Sequence, residues 1–169
     1  LLCYLWKPIT AATTAFEYKR LLTDYAHKTG SDTSLIPLQV HDFSFRGLSG
    51  LQDAAATGAA HLTSFWGTDT VPAIDLLEDY YNADASAEPV GLSVAATEHS
   101  VMCMGTKAAE LDTFKRLLTK TYPTGILSIV SDTWDFWTVV TDYMHTLKSI
   151  ICARDGKLVI RPDSGNALH

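Results

Sequence analysis

Positive charge is in short supply in this chain. Lys and Arg number 13 against 19 Asp and Glu, and the formal net charge is −6 with a pI near 5.4. That balance excludes a general nucleic-acid surface, which needs clustered cations to meet phosphate; an anionic ligand would have to be met by local donors. Cysteine is scarce too: Cys3, Cys103 and Cys152 are odd in number and far apart. With no CxxC pair they form neither a disulfide framework nor a zinc site, and they suit a reducing, cytoplasmic setting. No stretch approaches the ~20 apolar residues of a membrane span, and "LLCYLW" is too short for a signal-peptide core, so a soluble protein with no membrane partner is expected. Also missing are the GxGxxG and GxxxxGK[ST] loops of open nucleotide-binding sheets and the HxH or HExxH spacings that would fix two imidazoles on one metal. That last absence argues against a metal-dependent hydrolase built from His41, Asp42, Asp53 and His61.

What is present suits an α/β protein. The chain has 169 residues and is 47% hydrophobic, enough for one sizeable core. A single catalytic domain over 1–169 is expected. Leu1 in place of Met, and a strand-like run followed by "RPDSGNALH" without a covering helix, lead to the expectation that both ends are cut. Residues 11–29 carry Phe16, Leu21, Leu22 and Tyr25 at helical spacing, and Gly30 stops them. The strand-like "PLQVHDF" follows, then "SGLQDAAATGAA", a short helix with Ser49 as its cap. The alternation continues through the strand "AHLTSF", helix "VPAIDLLEDYYN", strand "GLSVAA", helix "AAELDTFKRLLTKTY", strand "GILSIV", helix "WDFWTVVTDYMHTL" and strand "KLVIRP". In the penultimate segment Trp134, Trp137, Tyr143 and His145 suit ordinary helix-face packing. Five strands separated by helices imply parallel β-α-β units, with "NADASAEP" too short to divide domains.

Parallel sheets present their chemistry at the carboxyl ends of the strands, and here every strand ends in polar residues: "HDFSFRG", "FWGTDT", "TEHS", "VSDT" and "RPDSG". A partial (β/α) barrel of about five parallel strands is the expected architecture, with an open doubly wound sheet as the alternative. The five endings are expected to meet at one rim.

Several residues at these endings are equipped for chemistry. His99 can serve as base or nucleophile, with Asp132, or else Glu98, accepting a hydrogen bond from one ring nitrogen; a structural or capping histidine is the competing reading. Arg161 and Asp163 pair a guanidinium with a carboxylate beside Ser164 and Gly165, a turn suited to phosphate and to a divalent cation such as Mg2+, or to an ordinary ion-paired turn. Phe43 and Arg46 offer an aromatic face and an anion fork, and one of Phe43 and Phe45 is expected to face the core. Asp69 can accept a ligand amide N–H, although Thr68, Asp69 and Thr70 also suit helix capping ahead of Pro72. Glu98 and Asp132 as paired carboxylates also permit a glycosidase.

Taken in order, "HDFSFRG", "GTDT", "TEHS", "SIVSD" and "IRPDSGN" resemble the strand-end motifs of the nicotinamide phosphoribosyltransferases, a type II phosphoribosyltransferase family, over nearly the whole chain. The departures are local: Ser44 and Phe45 where that family often has Gly and Tyr, and Thr97 where a small Ala is usual. The resemblance implies transfer of ribose 5-phosphate from phosphoribosyl pyrophosphate to nicotinamide, giving nicotinamide mononucleotide and pyrophosphate in NAD biosynthesis. It also implies ATP-dependent phosphorylation of His99. By the same resemblance Phe43 would stack on the pyridine ring, Asp69 would accept from the carboxamide, and Ser93, Val94 and Ser128 would line the tunnel that receives the ring. Arg161 would approach the nicotinamide, Arg46 a phosphate and Asp163 the ribose or its Mg2+, while Asp132 would orient His99 or help with the metal. A homodimer sharing its active sites, and a chain longer than this one, are implied as well. The nicotinate-specific relatives are the enzymatic alternative, against which the Asp69 carboxylate argues by repulsion; a non-catalytic binding or scaffold relative is the other.

Overall fold

The computed structural model describes residues 2–166. The chain forms two compact units, one running to Ser93 and the other starting at Val94.

The first unit opens with helix α1, Leu2–Thr29, which begins well before the predicted 11–29. Tyr4, Leu5, Trp6 and Ile9 in its early turns are all exposed, so no buried stripe marks them as helical. Gly30 ends the helix as expected, at φ +68, where the left-handed conformation costs glycine nothing. The expected "PLQVHDF" strand is shortened: its first two residues belong to a 3-10 turn, Ile36–Leu38, and strand β1 is confined to His41–Asp42. Pro37 has no N–H to give a ladder; its carbonyl accepts from the Trp66 amide at 2.8 Å. Helix α2, Leu51–Leu62, has Gly50 at its N-cap with no side-chain cap. Ser49, the expected cap, donates its own amide to Asp53 at 2.9 Å, and Lys7 reaches the same carboxylate at 2.8 Å.

The strand expected at "AHLTSF" is corrected: its first three residues complete the last turn of α2, and Ser64 and Phe65 donate back to the His61 carbonyl. The alanine-rich helical face simply continues through His61 and Leu62. Strand β2 is Gly67–Thr68 and pairs in parallel with β1, His41 against Gly67 and Asp42 against Thr68. A Cβ on Gly67 would lie 2.8 Å from His41 Nδ1 and 3.1 Å from the Val40 carbonyl, so glycine is what lets the strands approach here. Leu92 bridges Gly67 in parallel. Helix α3, Pro72–Tyr81, matches the prediction, but Val71 is its N-cap and no side chain caps it. Small buried residues, Ala54, Ala55 and Ala59 on α2 and Ala73 on α3, fill this unit together with Phe65, Ile36 and Ala15. Phe43 and Phe45 are both exposed, contrary to the expectation that one faces the core.

The second unit is built on a three-stranded parallel sheet in the order β3-β4-β5: Ala95–Ala96, Gly125–Val130 and Gly156–Arg161. The last two agree with "GILSIV" and "KLVIRP". Short helix α4, His99–Cys103, follows β3 directly and was not predicted. Helix α5, Glu110–Arg116, continues into a wide turn over Leu117–Thr121. After β4, α6 (Phe136–Thr138) and α7 (Met144–Thr146) are joined by a second wide turn, and α8 (Lys148–Ala153) leads to β5. Phe114, Leu117, Leu127, Ile129 and Val139 form a continuous buried core between sheet and helices. The Arg154 guanidinium accounts for the loose end of the α5 segment. It donates to the carbonyls of Leu118, Tyr122, Thr124 and Gly125, tying a helix terminus short of donors for its last carbonyls to the start of β4. Trp134 and Trp137 are exposed rather than packed, whereas Tyr143 meets Phe114 edge-on with ring centroids 6.0 Å apart.

The whole is thus a mixed α/β protein with five short parallel strands in two sheets, and among the described residues no strand closes a barrel. No described helix is long and apolar enough to cross a membrane. Cys103 and Cys152 are free thiols, while the Cys3 side chain lies outside the described positions.

Candidate active site

Each unit gathers part of the predicted residue set at the carboxyl ends of its strands. In the first unit, β1 runs from His41 into Asp42 and Phe43, and β2 runs from Gly67 and Thr68 into Asp69. Because the strands are parallel and in register, Asp69 emerges beside His41. His41 Nε2 lies 3.1 Å from Asp69 Oδ1, out of hydrogen-bond alignment but close enough for an ion pair when the ring is protonated. The Ser93 hydroxyl donates to the same oxygen. Among the described residues no donor reaches Asp69 Oδ2, and the side chain is 41% exposed. The Phe43 ring is half-exposed and lies 4.3 Å from the His41 ring, centroid to centroid. Arg46 sits exposed in the 3-10 turn Phe45–Gly47.

Beneath this group, burial pushes the Asp42 carboxyl up, but the Ser44 hydroxyl and its amide, 2.9 Å away, outweigh that and hold it below its usual range. His61 is held below the ordinary imidazole value, chiefly by burial, and its Nε2–H donates to the Gly67 carbonyl at 3.1 Å. Asp42 and His61 thus brace the ends of the two strands. Thr68 Oγ1 accepts the Thr70 amide at 2.9 Å, so the polar run before Pro72 closes a turn and leaves Asp69 outside any helix cap.

In the second unit the center is Asp132, immediately past the end of β4, with a side chain only 9% exposed. Its Oδ1 is 3.2 Å from His99 Nε2. Its Oδ2 accepts the Asp163 amide at 2.8 Å and the Ser164 hydroxyl at 2.5 Å. Burial raises the Asp132 carboxyl, yet the bonds from Ser164 and Asp163, with His99 adding attraction, bring it below the ordinary carboxylate range. An ionised Asp132 can only accept, so the hydrogen on the imidazole sits on Nε2 and the lone pair on Nδ1. That nitrogen is 3.7 Å from Asp163 Oδ2, too far to hydrogen bond but within ion-pair reach if the ring takes a second proton. Glu98 accepts from the Ser100 hydroxyl, which leaves Asp132 as the carboxylate beside the imidazole.

Arg161, the last residue of β5, donates from Nη2 to the Thr97 carbonyl at 2.6 Å. Ser128 is buried in β4, between Ala96 and Val159, and Val94 is exposed just ahead of β3. The geometry thus groups Phe43, Asp69 and Ser93 in one unit and His99, Asp132, Asp163 and Arg161 in the other. Sequence reasoning missed His41 as a neighbor of Asp69 and Phe43, and the Ser164 hydroxyl as a clamp on Asp132. Both lie inside the motifs already singled out; parallel register supplies the signal for His41, while the bend after Pro162 that aims Ser164 had none.

At the strand ends of this α/β protein's second unit, an imidazole thus has one nitrogen on the Asp132 carboxylate and the other facing the half-exposed Asp163. Residues 38–169 match the nicotinate phosphoribosyltransferase (NAPRTase) family, and the chain belongs to that family. Its relatives include nicotinamide phosphoribosyltransferases of Acinetobacter baylyi, 56% identical over 96% of this chain, of Mycoplasma genitalium, 42% identical over 96%, and of Xanthomonas campestris, 36% identical over 98%. This chain covers 33%, 33% and 35% of those proteins, so it spans about a third of the length of the curated relatives it matches.

Proposed function

We propose that the chain carries the pyridine-binding and phosphohistidine parts of a nicotinamide phosphoribosyltransferase, with the strands arranged as part of a type II phosphoribosyltransferase (β/α) barrel. The observation that carries this reading is the His99–Asp132 pair. Holding the proton on Nε2, Asp132 presents Nδ1 as the nucleophile and stabilises the positive charge the ring gains on phosphorylation. Attack of Nδ1 on the γ-phosphorus of ATP forms the N–P bond and breaks the bond to the bridging oxygen, releasing ADP. The phosphohistidine then adds negative charge at the strand ends and couples ATP hydrolysis to substrate binding and product release.

In the transfer itself the pyridine nitrogen bonds to C1 of the ribose as the C1–O bond to pyrophosphate breaks, and the ribose passes through an oxocarbenium-like state that nearby carboxylates stabilise. Phe43 offers its exposed face to the pyridine ring, and Asp69 Oδ2 accepts from the carboxamide while Ser93 holds the other oxygen. Ser93, Val94 and Ser128 line the ring's path, Arg161 approaches the nicotinamide and Arg46 takes a phosphate.

For Mg2+ the two candidate carboxylates differ. Both oxygens of Asp132 are engaged, so it fits the role of histidine anchor, whereas Asp163 is 45% exposed with Oδ1 open among the described residues and fits as a ligand. No group of three or more His, Cys, Asp or Glu among the described residues could cage a metal. An ion at Asp163 would be held by that carboxylate and by substrate phosphates. When bound, Mg2+ would neutralise the pyrophosphate as it leaves. A homodimer completes the proposal.

The amide-over-acid preference rests on Asp69, whose charge would repel nicotinate. Titrating the chain with each ligand while following the NMR signals of Phe43, Asp69 and Ser93 tests it: nicotinamide should bind more tightly, and Asp69→Asn should narrow the gap. Tighter binding of nicotinate would overturn the assignment.

A further inference from the structure

Thr97 makes three contacts that a small apolar residue could not make together. Its amide donates to the Ser128 carbonyl at 2.9 Å, continuing the parallel ladder that pairs Ala95 with Leu127 and Ala96 with Ser128. In a regular parallel ladder the next bond would run from the Val130 amide to the Thr97 carbonyl. The Val130 amide goes instead to Thr97 Oγ1, at 3.1 Å, and the Thr97 carbonyl accepts Arg161 Nη2 at 2.6 Å. The side-chain hydroxyl has taken the place of the main-chain acceptor.

The substitution matters because of where it happens. Thr97 is 5% exposed and Val130 fully buried, so the Val130 amide needs an acceptor and no water replaces a lost one cheaply. Thr97 is also the last residue before Glu98 and His99, and Val130 lies two residues before Asp132. With its carbonyl released from the ladder, β3 can end and turn into α4, which starts at His99. The Thr97 hydroxyl is itself a donor as well as an acceptor, but its β-branched side chain has little rotameric freedom in extended backbone, which keeps it on Val130.

We propose that Thr97 is a positioning residue: its hydroxyl takes over the Val130 ladder bond so that its carbonyl can hold the Arg161 guanidinium at the strand-end cluster containing His99. The consequence for substrate rests on the function proposed above, in which Arg161 approaches the nicotinamide; the geometric claim does not.

Thr97→Val preserves shape and removes the acceptor, and Thr97→Ser restores the acceptor with less bulk. Two readouts separate the possibilities. In the ligand-free chain, NMR of the Arg161 side-chain N–H groups should show slow solvent exchange that Thr97→Val speeds by at least about tenfold and Thr97→Ser leaves within about twofold, with the Val130 amide losing protection in parallel. Nicotinamide titration should show a similar pattern, affinity falling about tenfold in Thr97→Val and recovering in Thr97→Ser. Arg161 exchange that is the same in Thr97→Val and the unmodified chain would overturn the proposal, whatever the ligand result. So would equal Arg161 exchange in Val and Ser variants that share the same loss of thermal stability, since that is the signature of general loosening. If the unmodified chain binds no nicotinamide, the proposed function fails, and Arg161 exchange still decides the role of Thr97.

Discussion

Replacing Asp132 with Asn tests how the His99 imidazole is held. The side chain keeps its size, but only one oxygen remains. That oxygen can stay with the Asp163 amide and the Ser164 hydroxyl, now as neutral bonds, while the new NH2 group is left facing His99 Nε2. A hydrogen bond to an ionised partner contributes about 1.5–3 kcal/mol and a neutral one about 0.5–1.5. Three bonds weakened by about 1 kcal/mol each as they become neutral, the one to His99 through the other imidazole tautomer, come to about 3 kcal/mol. With the side chain 9% exposed, water recovers little of it. For a urea m-value of about 1.5–2 kcal/mol/M, the midpoint of the second unit should fall by about 1.5–2 M. Trp134 and Trp137, two of the four tryptophans, lie in that unit and contribute its fluorescence signal. The difference has a defined pH dependence. Because the folded carboxyl sits below its unfolded value, its contribution is present above pH ~4 and is lost as pH falls through the folded value. Variant and unmodified chain should therefore converge in acid. Equal midpoints at pH 7, or a gap that persists unchanged to pH 2, would refute the reasoning. The amide should also favour the other imidazole tautomer, moving the proton to Nδ1 and suppressing phosphate transfer to His99.

Glu110 is almost fully buried, and burial raises its carboxyl above the ordinary 4.5. Its stabilising contribution is complete below that value and fades as pH rises through the folded one, so Glu110→Gln should match the unmodified chain near pH 4 and exceed it in thermal stability at pH 8. His61 is shifted the other way, below 6.5, so the first unit should lose stability as pH drops from 7 toward 5, and His61→Gln should flatten that decline in denaturation midpoints. Gly67→Ala would set a methyl 2.8 Å from His41 Nδ1; overpacking of this kind costs about 1–3 kcal/mol. It should lower the melting temperature and broaden the NMR signals of His41 and Asp69.

The readable parts of the sequence were those where burial and spacing coincide. "GILSIV" is a β4 strand because Leu127, Ile129 and Val130 are wholly buried in the middle of a sheet, and α3 shows itself through Pro72 at its start and Asn82 in a left-handed turn at its end. Strands β1, β2 and β3 are two residues long, too short for alternation to register, and β2 was misplaced because the alanines before it run on as helix. The first turns of α1 were invisible for lack of a buried stripe. Within each unit, parallel pairing delivers residues of the strand-end motifs to the same edge. Their motifs could not reveal that Asp132 is consumed by three donors, because that depends on the bend after Pro162 bringing Ser164 back over β4.

Phosphate on His99 is the most direct test of this account. After incubation of the chain with ATP and Mg2+, peptide mapping should find a phosphate on His99 that survives alkali and is lost in acid, absent from His99→Ala and sharply reduced in Asp132→Asn. No modification at His99, or equal labelling in His99→Ala, would contradict it.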